Sequence, residues 1–130
     1  MASWTELTDY VRSNYKIADE TPNLVKMIFR TDGLRSQVVF LMRDALMDGV
    51  EEWVRIESPF ADADKVDLRR ALEKVGQTVC GGAGMVGDVV TIRHAVPLVN
   101  LDVNEFERPL HLVITTADRL ERELVGGDAF

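Results

Sequence analysis

A single cysteine, Cys80, leaves no partner for an internal disulfide. A clustered basic surface is missing too. Lys and Arg number 15 against 22 Asp and Glu, the formal charge is -7, and Arg69-Arg70 is the sole adjacent basic pair. Phosphate backbones are held by concentrated positive charge, so this balance excludes nucleic acid as the expected partner. No apolar run approaches the roughly 18 to 20 residues needed to span a bilayer, and nothing resembles a secretory signal. Internal repeats, low-complexity tracts and linkers are likewise missing. These absences lead to the expectation of a cytoplasmic protein with no membrane partner.

What is present suits one packed domain over residues 1–130. Apolar residues make up 46% and charged residues 28%, too apolar for disorder and long enough for one core. The acidic surface favours solubility and suits a basic or amphipathic polypeptide partner.

Local patterns give the element order. Ser3 followed by Glu6 is a capping-box signature, and Trp4, Leu7 and Val11 share one helical face, predicting a helix to about Asn14. Residues 17–22 read as a loop. Leu24–Arg30 and Ser36–Arg43 flank Asp32-Gly33, a hairpin signal. Asp48-Gly49 leads into a strand from Val50 to Ser58, which Pro59 is expected to end. Asp62 or Asp64 would cap a second helix burying Leu68, Ala71, Leu72 and Val75, with Gly76 as its stop. A glycine-rich strand over Thr78–Val86 pairs through Gly87-Asp88 with Val89–Val96. Asn100 and Asp102 then open a long helix with apolar residues at Val103, Phe106, Leu110, Val113, Ala117, Leu120 and Leu124. Pro109 inside it predicts a bend or a broken first turn. The expected fold is therefore α+β, an antiparallel five-stranded sheet with helices on one face, in the order α-β-β-β-α-β-β-α.

Catalytic and cofactor signatures fail on context. Gly82-Ala83-Gly84-Met85-Val86-Gly87 is a formal G-x-G-x-x-G, with Asp102 at a plausible distance for the ribose acid. A pyrophosphate needs a helix N-terminus after the last glycine, whereas Asp88-Val89-Val90-Thr91-Ile92 predicts a strand. The glycines fit a bend or a close backbone approach. His94, His111 and Cys80 lack the local spacing of a zinc site, and Cys80 beside glycines reads as a small buried residue. Asp62, Asp64 and Asp67 lack the central glycine and terminal glutamate of a calcium loop. The expectation is no enzyme, no catalytic residue, no metal and no cofactor.

Strand alternation does point to a surface. If Val54, Ile56, Val90, Ile92 and Val96 face the helices, then Trp53, Arg55, Thr91 and Arg93 face away. Trp53, Arg55 and Arg93 are the candidate partner-binding residues, because tryptophan and arginine dominate binding hot spots. The inverted assignment, with Trp53 in the core, fits the alternation as well. The strand at Leu24–Arg30 is ambiguous in the same way.

Residues 87–124 resemble the YbjN-domain family, bacterial proteins similar in fold to type III secretion chaperones. The resemblance rests on Gly87, Val90-x-Ile92-Arg93, Val96-Pro97-Leu98, Leu101-Asp102 and Ala117-Asp118-x-Leu120, with Asn14-Tyr15-x-Ile17 matching the family's first element. It implies a non-enzymatic, chaperone-like binding module, a homodimer that engages a polypeptide client. The alternative is a small-molecule sensor or regulatory subunit using the glycine-rich strand and His94.

Overall fold

A computed structural model of the protein describes residues 1–125, and residues 126–130 of the expected domain lie outside the described residues. Helix α1 (Trp4–Asn14) starts at Ser3, whose hydroxyl accepts from the Glu6 N–H at 3.2 Å. The Glu6 carboxylate reaches back to the Ala2 N–H at 3.1 Å, so the return half of the cap falls one residue before the N-cap Ser3. Trp4, Leu7, Thr8 and Val11 form its buried face.

Four strands follow: β1 (Ile17–Thr21), β2 (Leu24–Arg30), β3 (Ser36–Leu46) and β4 (Glu51–Asp62). Helix α2 (Leu68–Val75), β5 (Gly82–Val86), β6 (Val89–Pro97) and α3 (Val103–Leu124) follow in the described residues. The α+β class is as expected, but the antiparallel sheet has six strands, in the order β1-β2-β3-β4-β6-β5. The additional strand is β1, where a loop was expected. An edge strand needs only one pairing side, and four of its five residues are exposed, so no apolar alternation announces it.

Pro59 does not end β4. On the β6 side the pairing runs on past it, with a bulge between Pro59 and Ala61. On the β3 side the ladder stops at Phe40 opposite Glu57, so no ladder bond waits for the N–H that proline lacks. Buried Gln37 takes over there, its amide nitrogen donating to the Pro59 carbonyl at 2.5 Å and to Ser58 Oγ at 2.9 Å. Ser58 Oγ in turn donates to the Val38 carbonyl at 2.5 Å.

Asp67, rather than Asp62 or Asp64, caps α2, accepting from the Arg70 N–H. Only Ala71 and Val75 of that helix are buried; Leu68 and Leu72 are exposed, because eight residues offer one narrow stripe. The glycine-rich strand begins at Gly82, not Thr78. In α3, Asp102 and Glu105 form a reciprocal capping box that secures the first turn, and the helix continues across Pro109, so no broken turn forms. Its buried stripe includes Phe106, Leu110, Val113, Ala117 and Leu120, while Val103 is exposed.

The core lies between the helices and one face of the sheet. Val25 and Met27, Val39 and Leu41, Val54 and Ile56, and Val90 and Ile92 point inward from successive strands, against Leu7, Phe106, Leu110 and Leu120. Period-two alternation then puts every second residue of these strands on the other face, which no helix among the described residues covers. A buried clamp holds the β2–β3 turn to α3: Arg35 Nε lies 3.0 Å from Asp118 Oδ1, and Arg35 Nη2 lies 3.1 Å from Glu121 Oε1.

Candidate functional site

The uncovered face holds the candidate site. Leu24, Lys26 and Ile28 of β2, Val38, Phe40 and Met42 of β3, and Val89 of β6 surround a groove of about 690 Å³. Its centre is polar. The Glu57 side chain is 2% exposed and accepts from Thr91 Oγ1 at 2.6 Å. Arg55 Nε stands 3.7 Å from Glu57 Oε1 and 3.7 Å from Asp44 Oδ2, and Arg93 Nε stands 3.9 Å from Glu57 Oε2. These are ion-pair distances beyond hydrogen-bond reach. Arg55 Nη2 donates to the Met42 thioether, a weak acceptor, and the buried Arg55 Nε has no hydrogen-bond partner.

Gly84 shapes one wall. A Cβ there would meet Arg93 Cδ at 2.7 Å and Thr91 Oγ1 at 2.9 Å, so the glycine leaves Arg93 room to lie beside β5. Gly81, at φ +93°, would place a Cβ 2.9 Å from the Arg93 carbonyl oxygen. Gly81 allows a close backbone approach and Gly84 leaves room for the Arg93 and Thr91 side chains, while Gly82 has open space around it. Gly87, at φ +58°, makes the two-residue turn into β6, so no helix N-terminus follows the G-x-G-x-x-G.

Of the three candidate residues, Arg55 and Arg93 meet in this groove. Trp53 shares their face but lies outside the groove lining, its indole N–H donating to Glu51 Oε1 at 2.8 Å. Glu57, Phe40 and Met42 were missed as site residues. Their signal was present in the alternation, since each lies an even number of places from Arg55 on β4 or from Val38 on β3.

Other candidates lie apart. His94 is half-buried on the helix side of β6, opposite Ile56 and outside the groove. The free Cys80 thiol precedes β5, and burial pushes its pKa up, away from the thiolate a nucleophile needs. Among the described residues no three His, Cys, Asp or Glu side chains form a group that could hold a metal ion. His111 is exposed on α3, with Nε2 3.1 Å from Glu107 Oε2. Glu107 also accepts from both Tyr10 and Tyr15 of the N-terminal segment, the Tyr10 bond at 2.5 Å. The hydrogen bond to Glu107, then burial, pushes the Tyr10 phenol up to about 12; burial, then the same carboxylate, raises Tyr15.

The sheet edges differ. β1 carries Asp19 and Glu20 and a register shift between Ile17 and Asp19. β5 is Gly-Ala-Gly-Met-Val, with no charge, no proline and no bulge in its pairing with β6. Exposed Met85, Val86, Leu72 and Val79 belong to β5 or to the segments just before it. No family model matches the chain, and no curated protein matches it. Among the described residues no helix is long and apolar enough to cross a membrane.

Proposed function

We propose that the chain is a non-enzymatic protein-binding module, similar to type III secretion chaperones and YbjN-like proteins, that takes a polypeptide strand at the β5 edge. The observation that carries this reading is the undefended edge itself. Natural sheets blunt their edges with charge, proline or bulges, and β1 has two of these devices while β5 has none. An added strand would find free main-chain groups along Gly82–Val86, with Met85 and Val86 to pack against.

A second copy of the chain is the first partner this edge would accept. Antiparallel pairing about a two-fold axis at Gly84 would set Gly82 opposite Val86 and Ala83 opposite Met85, joining two six-stranded sheets into one. Any client would then bind to the assembled dimer.

Sedimentation velocity tests this reading. The wild-type chain is expected to run as a dimer at micromolar concentration, and Ala83→Lys, which puts charge on the edge, to weaken the dimer at least about tenfold. A wild-type monomer that also captures no strand-forming peptide would defeat the reading.

A further inference from the structure

The groove on the uncovered face has a chemistry that the β5 edge does not explain. Its lining includes Lys26, Arg55 and Arg93 against Glu57, and Asp44 stands 3.7 Å from Arg55 Nε, so three cations face two anions in a chain of net charge -7. Positive charge collected in an apolar recess of an acidic protein selects an anion bearing an apolar body. The guanidinium of Arg55 is also under-coordinated: one nitrogen donates to a thioether, and the buried Nε has no acceptor. A carboxylate is the acceptor that arginine geometry matches best.

The backbone argues against a polypeptide here. Phe40–Met42 of β3 pair with both β2 and β4, and Trp53–Glu57 of β4 with both β3 and β6. Past Glu57 the Val38 and Pro59 carbonyls are taken by the Ser58 hydroxyl and the Gln37 amide. An extended peptide laid across them would bury its own N–H and C=O groups against Phe40, Met42 and Val38 without partners, a cost an alkyl chain does not carry. The groove holds about 690 Å³, inside the usual range for small-molecule sites.

We infer that this groove is a binding site for a monomeric amphipathic carboxylate of the fatty-acid type. Its head group lies between Arg55 and Arg93, and its apolar body runs over Phe40 and Met42 toward Ile28. Glu57, held by Thr91, keeps both guanidiniums on the groove floor. Met85 and Val86 of β5 also line the groove, but the head group and apolar body rest on residues of β2, β3, β4 and β6, so binding is expected in the wild type and in Ala83→Lys alike.

The test is calorimetric titration of the full chain with dodecanoate below its micellar concentration, with dodecyltrimethylammonium as the cationic control. Dodecanoate should bind at one per chain, at least about tenfold more tightly than the cation. The double variant Arg55→Gln, Arg93→Gln should lose about tenfold or more in affinity. Because that variant leaves buried Glu57 with Thr91 alone, Ile28→Glu supplies a second one: this side chain is 57% exposed at the groove, and a carboxylate there repels the ligand without touching the core. Failure of dodecanoate to bind, equal affinity for the cation, or affinity unchanged in Ile28→Glu would overturn the inference. So would binding to anionic phospholipid vesicles or to an acidic helical peptide in place of the free carboxylate.

Discussion

The two sides of the sheet are finished in opposite ways. On the β1–β2 side, polar anchors tie strands and turns to the helices. The Trp4 indole N–H donates to the Pro22 carbonyl at 2.9 Å, Arg12 pairs with Glu20 of β1, and Arg35 clamps the β2–β3 turn to α3. On the β6–β5 side, close backbone packing replaces such anchors, and the outer strand is left uncharged. The bare β5 edge is where the proposed strand addition would occur.

The comparison can be broken most forcefully at the Arg35 clamp. Arg35→Ala leaves Glu121, 0% exposed, without that partner and should cost roughly 3–5 kcal/mol in urea denaturation, the usual penalty for breaking a buried pair. A loss below about 1 kcal/mol would mean that the β1–β2 side is not held by charge.

Gly81→Ala probes the other side. The new Cβ would sit 2.9 Å from a backbone oxygen at φ +93°, so a loss of about 1–3 kcal/mol is expected. Gly33→Ala in the β2–β3 turn has positive φ but open space around it and should cost less. Equal costs would show that backbone proximity at β5 is not limiting.

The smallest effect belongs to the tyrosines on Glu107. Tyr10→Phe or Tyr15→Phe should each lose about 1 kcal/mol. Because both phenols are raised in the folded state, their contribution is intact below pH 10 and fades as pH climbs, for Tyr10 through about 12. Melting temperature should therefore fall between pH 10 and 12 more steeply in the wild type than in the double Phe variant. Parallel curves would remove the carboxylate as the cause.

Much of this was legible in the sequence because the governing periods are short. Alternation at Trp53–Ile56 and Val90–Arg93 sorts the residues onto two faces but leaves open which one is inward; the inverted reading fails in the structure because Val54 and Ile56 are fully buried. Steps of three and four along α3 located its buried stripe. The misses share a different cause. Whether Asp19-Glu20-Thr21 forms a strand depends on a neighbour, β2, that local pattern cannot supply. Pro59 is tolerated only because the β3 ladder has stopped two residues earlier and Gln37 reaches across. The groove joins residues from β2 to β6, so it depends on strand order. Arg55 and Arg93 could be placed on a face, and Glu57 falls on it with Arg55, but local pattern does not bring it beside Arg93 and Thr91 of β6.

Amide hydrogen exchange, read strand by strand at two protein concentrations, tests the central claim most directly. Amides of Gly82–Val86 are expected to gain protection as concentration rises while those of Ile17–Thr21 do not change. Equal behaviour of the two edges, with β5 no more protected at high concentration than at low, would contradict it.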